Sequence, residues 1–343
     1  MSDIGNTVSI KDESFLKYGK LLIILKKSKF ADLNLMCGID TVSIRTDQQP
    51  KTDSNGKLPD GVTDIGSSNG LITLKINPNK WCGEGIELYS FADFCAAMRG
   101  ILAQMQIEHY YYSRIDVRFD SYCSEFEHVD KLNRALILSY WHINRSSDNL
   151  YQTDHGWTKR RLNFAFRGTT SEIESYNKEV EEKTGFVLSR LEVRSVRQSA
   201  PKAQQTEATK PIAILNRWKA ALRGSVPEYQ KMLSDRNKLL QNEYIEGKAQ
   251  GRYPSINSFV RQNIGDVYST KQLDDLFSLL DAAQPTKARY NFIQRNPLLQ
   301  KEFFSEKDLQ LYVDYLCSCM DKYISAPLSN FALDDHTDDR QIA

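Results

Sequence analysis

Three short stretches of the chain alternate apolar and polar residues with a period of two. In 114–120, Ile115, Val117 and Phe119 fall on one side, and Arg114, Asp116, Arg118 and Asp120 on the other. In 161–167, Leu162, Phe164 and Phe166 oppose Arg161, Asn163, Ala165 and Arg167. In 188–196, Leu191 and Val193 oppose Arg190, Glu192 and Arg194. Successive side chains of a strand point to opposite faces, so each stretch reads as a strand that buries one face. Gly70–Asn77 alternates as well, and Pro78 stops it. Helical spacing appears twice: Phe91, Phe94, Met98, Ile101, Leu102 and Met105 within 90–105, and Phe126, Val129, Leu132, Ala135, Leu136 and Leu138 within 124–141. The pattern predicts an α+β fold, an antiparallel or mixed sheet with one open side and these helices on its apolar side.

Between these elements lie weaker signals. Leu21–Leu25 and Leu33–Val42 are apolar stretches near the start. Residues 45–70, rich in Asp, Gly, Ser, Pro and Gln, read as a long loop or hairpin excursion. Residues 143–157 read as a polar loop, Ile173–Lys178 as a strand or a helix start, and Glu179–Lys183 as a solvated charged run. Residues 198–211 carry almost no apolar bulk and read as a linker. From Ile212 the spacing is helical throughout. A short helix from Pro254-Ser255, a turn at 263–268 and a helix opened by Ser269-x-x-Gln272 are compatible with a helix-turn-helix. Many all-α domains hold the same arrangement without touching DNA. The predicted organisation is an α+β domain at 1–197, a linker at 198–211, an all-α domain at 212–325 and an acidic, disordered tail at 326–343.

Composition narrows the classes. The 343 residues are 41% hydrophobic and 26% charged, which supports a real core and excludes global disorder. No apolar run approaches the ~20 residues of a membrane span, and the start lacks a signal-peptide pattern. Six scattered cysteines make no C-x-x-C pair, so free thiols in a cytoplasm are expected rather than a zinc site. No phosphate-binding or dinucleotide glycine loop is present, and no G-x-S-x-G turn. The net charge of +1 argues against nucleic acid only if it is evenly spread, and it is not. Residues 202–303 hold 16 Lys and Arg against 10 Asp and Glu, while the last twelve residues hold four Asp and one Arg. A moderately basic helical region suits phosphate backbones and also suits an ordinary surface.

The polar face of the sheet is dense in charge. One reading is a solvated face with cross-strand Arg–carboxylate pairs, worth up to ~1 kcal/mol each. The other takes Asp116, Asp120 and Glu192 as oxygen ligands for Mg2+ or Mn2+, with Lys178 and the arginines holding phosphate oxygens.

The order Arg114-Ile-Asp-Val-Arg-Phe-Asp120, Tyr176-Asn-Lys178-Glu179 and Arg190-Leu-Glu-Val-Arg194, followed by a helical region, resembles rolling-circle replication initiators of the Rep_trans type from small bacterial plasmids. It is also similar to relaxases of conjugative transposons and to filamentous-phage initiators. The preceding Leu74-Lys-Ile-Asn-Pro78 fits the same layout, so the resemblance spans roughly 70–197. It implies an HUH-like fold, a central antiparallel sheet with flanking helices. It implies nicking of one DNA strand by a tyrosine with a divalent metal, leaving a 5′-phosphotyrosine and a free 3′-OH. The implied partners are origin duplex and single strand, a host helicase and a second copy of the chain, in a bacterial cytoplasm. The metal set would be Asp116, Asp120 and Glu192. The DNA contacts would be Arg114, Arg118, Arg161, Arg167, Arg190, Arg194 and Lys271. The nucleophile is open between Tyr176, beside Lys178, and Tyr151. The chain departs from the pattern in two places. It has no His-hydrophobic-His motif, and the turn Phe164-Ala-Phe-Arg-Gly168 holds no tyrosine. A non-catalytic DNA-binding protein of the same fold is the rival reading, and a protein-interaction domain with a solvated charged sheet is the third.

Overall fold

The computed structural model describes residues 33–83, 87–122, 126–143, 150–154, 162–178, 188–196, 209–280, 282, 284–297 and 303–329. Strand β1 (Asn34–Thr46) buries Leu35, Cys37 and Ile39, then Val42 and Ile44. The phase changes because the register with its neighbour shifts between Ile39 and Thr41, a bulge centred on Asp40. Strands β2 (Val62–Ser68) and β3 (Leu71–Ile76) form a hairpin across Asn69 and Gly70. Both turn residues have positive φ, 52° and 75°, the conformation that Asn-Gly favours in a two-residue hairpin. The excursion expected at 45–70 thus ends in a strand pair.

The sheet has eight strands in the order β2-β3-β1-β4-β8-β7-β6-β5, and all its neighbours are antiparallel. Its central strands are β4 (Tyr111–Tyr122) and β8 (Leu188–Ser195), and β7 (Ser171–Asn177) and β6 (Leu162–Arg167) follow. The segment read as a strand or a helix start at Ile173–Lys178 is therefore strand, up to Asn177. The loop expected at 143–157 contains the edge strand β5 (Leu150–Asp154), whose polar sequence gave no alternation to read.

Helix α1 (Pro78–Cys82) is a single turn. Helix α2 (Phe91–Met105) starts where the Ser90 side chain accepts a hydrogen bond from the Asp93 amide at 2.9 Å. Helix α3 (Phe126–Ile143) packs on β6, β7 and β8. The helical region that follows supplies α4 (Thr209–Ser225), α5 (Tyr229–Ala249), α6 (Ile256–Gln262), α7 (Thr270–Leu279), α8 (Pro285–Gln294) and α9 (Glu306–Ser325). No described helix is long and apolar enough to cross a membrane.

The hydrophobic core does not follow the sequence order. Ile214, Leu215 and Trp218 of α4, Tyr229 and Met232 of α5, and Leu309 to Tyr323 of α9 share one core with the sheet and α2 and α3. The Ile39 amide donates to Tyr323 Oη at 3.4 Å, and Tyr312 Oη donates to Asn133 Oδ1 at 2.6 Å. A second core joins Leu240 and Tyr244 of α5 to Phe259, Leu273, Phe277 and Phe292. The two cores therefore meet within α5. Helical spacing shows that α9 has an apolar face but not that the face returns to β1.

In the second core, Ser269 caps α7 by accepting from the Gln272 amide at 3.0 Å. The reciprocal bond of a capping box is displaced by one residue, because Gln272 Oε1 accepts from the Tyr268 amide at 2.6 Å. Residues 263–269 separate α6 from α7 and include a 3₁₀ turn at Ile264–Asp266. This connection is longer than the three or four residues of a helix-turn-helix.

Candidate functional site

The register stacks the charges in rows. Asp116 on β4 faces Arg194 on β8, which faces Glu172 on β7. In the next row Arg118 faces Glu192, which faces Glu174. In the third, Asp120 faces Arg190, which faces Tyr176. The β1 bulge turns the Asp40 carboxylate onto the same face, where Oδ1 accepts from Arg190 Nη1 at 3.2 Å. Opposite Arg118 stands Gly38, and a Cβ there would lie 3.1 Å from the Leu88 carbonyl oxygen and 3.4 Å from Arg118 Nε. The missing side chain makes room for the guanidinium.

This face was expected to be open to solvent, and it is buried instead. Arg190 is 1% exposed and Asp116 2%, and Arg118, Asp120, Glu174 and Glu192 are buried with them. Alternation shows which residues share a face, not whether the face is covered. Removing each ion from water costs several kcal/mol, recovered only through close, well-aligned pairing. That pairing is present. Arg190 forks Asp120 through Nε at 2.6 Å and Nη2 at 2.8 Å. Arg114 forks Asp116 through Nε and Nη2, both at 2.8 Å. Arg194 forks Glu192 through Nε at 2.9 Å and Nη2 at 3.0 Å, and its Nη1 donates to Glu174 at 2.7 Å. Arg118 pairs with Glu87, Asp40 and Asp120.

Tyr176 completes the ladder. Its hydroxyl donates to Glu192 Oε2 at 3.0 Å. Burial first, and then the Glu192 charge, push the Tyr176 phenol well above its ordinary range. Burial would also raise Asp40, but Arg190, Arg118 and Lys178 hold it below the usual carboxylate range. Asp116 is pushed up to about 6, by burial first and by Glu192, against the opposing pull of Arg114 and Arg194.

The Asp116 shift has a stability consequence. Its folded pKa of about 6 lies above the ordinary 3.8, so the folded state holds the proton over a window where the unfolded state has lost it. Stability contributed by Asp116 therefore falls as pH rises from about 4 to 6, by up to about 3 kcal/mol. Urea unfolding across pH 4–7 is expected to show a shallower fall in Asp116→Asn than in the natural chain. Superimposable slopes would refute the shift.

The expected metal set does not fit. Asp116 and Asp120 lie four residues apart on one strand, about 13 Å, whereas oxygen ligands reach an ion at about 2.0–2.6 Å. An arginine fork also holds each of Asp116, Asp120 and Glu192. Among the described residues, no cluster of three His, Cys, Asp or Glu is placed to hold a metal.

The other expected residues are scattered. Tyr151 shares a row with Ala165, Glu174 and Glu192, but three strand spacings, about 14 Å, separate it from Glu192. Only the backbone of Tyr151 is described. Lys178 follows β7 near Asp40. Arg167 is exposed on β6 opposite Glu172, and Lys271 is exposed in the first turn of α7. Arg161 lies outside the described residues. Sequence reasoning missed Asp40, Glu87, Glu172 and Glu174. The alternation of Glu172, Glu174 and Tyr176 against Ile173 was a usable signal for two of them, whereas a bulge such as that at Asp40 leaves none.

No family model matches this sequence, and no curated protein matches it. Among solved structures, the chain is similar to a rolling circle replication initiator protein from Geobacillus stearothermophilus, with 11% identity and a TM-score of 0.27 over 52% of this chain and 91% of that one. At that score the α+β assignment rests on the strands and helices themselves.

Proposed function

We propose that this chain is a DNA strand transferase of the replication-initiator kind, with Tyr176 as nucleophile and Glu192 as the acceptor of its proton. The observation that carries this reading is the 3.0 Å hydrogen bond from Tyr176 Oη to Glu192 Oε2, with Arg194 holding the same carboxylate. A nucleophile bonded to a base, and a base bonded to a group that orients it, is the arrangement covalent catalysis needs.

In the proposed step the Tyr176 oxygen forms a bond to a backbone phosphorus while the bond from phosphorus to the 3′ oxygen breaks. The phenol proton passes to Glu192, and the departing 3′ oxygen takes a proton from water. The 5′ phosphate stays on the protein. Because burial raises the phenol pKa, the proton leaves as the bond to phosphorus forms rather than beforehand. Arg190, opposite Tyr176 across the strands, and Arg194, on Glu192, would meet the charge that builds on the phosphate. No step is assigned to an ion on Asp116, Asp120 and Glu192. In the same reading residues 1–197 carry the transfer and 212–325 are accessory. The host helicase, second copy and bacterial cytoplasm follow from the family resemblance.

The test uses the full chain with supercoiled plasmid and with a 3′-labelled single-stranded oligonucleotide pool, with Mn2+ and with EDTA. The expected result is label that stays with the denatured protein. No adduct on any DNA would overturn strand transfer. A second reading, a non-catalytic DNA-binding protein, is favoured by one observation: both Glu192 oxygens already accept hydrogen bonds. Salt-dependent DNA binding without an adduct would establish it.

A further inference from the structure

An open polar groove of about 480 Å³ borders the ladder, between the β2–β3 hairpin and the turn joining β6 to β7. Arg45, Thr73, Arg114, Thr169 and Glu172 line it, and Ile65 stands at its rim. Arg45 reaches from β1 to β2, where its Nη2 donates to the Ser68 carbonyl oxygen at 3.3 Å. Its Nε is buried and meets no acceptor among the described residues. A buried donor without a partner costs about 1–3 kcal/mol. Arg114 keeps 36% of its side chain exposed while it forks Asp116. Ile65 is 57% exposed on a strand whose other residues are almost all exposed.

We infer that this groove binds single-stranded nucleic acid, with a backbone phosphate between Arg45 and Arg114 and a base against Ile65. The inference rests on the strand-transfer reading, for which it names the approach of the substrate. Guanidinium groups suit phosphate oxygens, and the threonine hydroxyls add donors beside them. An exposed apolar side chain gives a base a surface without reading its sequence. Glu172 repels a phosphate placed directly over it and accepts from a base N–H, such as the N3–H of thymine, instead, which sets the strand with its phosphates toward Arg45. Glu172, in the groove wall, shares β7 with Tyr176 and lies four residues, about 13 Å, from it.

The test is fluorescence anisotropy with a labelled twelve-residue oligothymidylate at low salt. The competitors are a duplex of the same length, thymidine monophosphate and inorganic phosphate. The variants are Arg45→Gln and Ile65→Asp, with thermal unfolding as the control for folding. The single strand is expected to bind more tightly than the duplex or either small phosphate. Each variant is expected to weaken binding about tenfold or more while still folding. Unchanged binding in the folded variants, no binding by the natural chain, or competition by inorganic phosphate alone would overturn the groove. The two proposals fail separately. Binding that the variants weaken, without any adduct, removes strand transfer and keeps the groove. An adduct that forms equally in both variants removes the groove and keeps strand transfer.

Discussion

Tyr176→Phe is expected to abolish the covalent DNA adduct and leave the fold in place. The substitution removes one oxygen. Glu192 keeps the two donors of the Arg194 fork, so the carboxylate stays paired after Tyr176 Oη is gone. The stability cost is then that of one hydrogen bond to a charged group, about 1.5–3 kcal/mol. The loss of adduct is complete, because phenylalanine has no atom to bond to phosphorus. Glu192→Gln separates the roles further. It keeps the shape and removes the base, and adduct formation is expected to slow by about 10²–10⁴ in single-turnover assays. A merely structural Glu192 would change stability and leave the rate of the folded protein and its pH profile alone. If Tyr176→Phe still forms an adduct and Tyr151→Phe does not, the nucleophile lies on β5.

The contrast between β4 and β7 shows what the sequence could and could not tell. Arg114 to Asp120 alternates cleanly, and its two faces were assigned correctly. The partners across the strands were not legible, because the register depends on hairpins and on a bulge far away in the sequence. Asp40 reaches Arg190 across 150 positions, through a shift that no local pattern announces. Burial was misread for a related reason. A charged strand face is solvated in most sheets, and only a complete set of partners makes it tolerable inside. Part of that set, Glu172 and Glu174, sat in a segment whose alternation left strand and helix both open. The C-terminal helix was seen as a helix, yet its place beneath β1 is fixed by contacts such as Tyr323 with Ile39, at the far end of the chain.

Arg190→Met is expected to be among the most destabilising single changes in the sheet, at about 3–5 kcal/mol by urea unfolding. Methionine fills much of the space, so the cost comes from charge rather than volume. Asp120 would lose both arms of its fork and stay away from water, and the partly exposed Asp40 would lose a donor. Arg190→Lys should lie in between, since one ammonium cannot supply two parallel donors. Asp120→Leu in the same chain should recover part of the loss, because removing both charges also removes the uncompensated one. The double-mutant cycle then measures the coupling of the pair directly, and a coupling near zero would refute the ladder as a cause of stability. The double variant also divides the face by role. If it folds and still forms the DNA adduct, the end of the ladder at Asp120 is scaffold, and the chemistry belongs to Tyr176, Glu192 and Arg194. If it folds and forms none, Arg190 acts on the phosphate as well as on Asp120, and the ladder is one site from end to end.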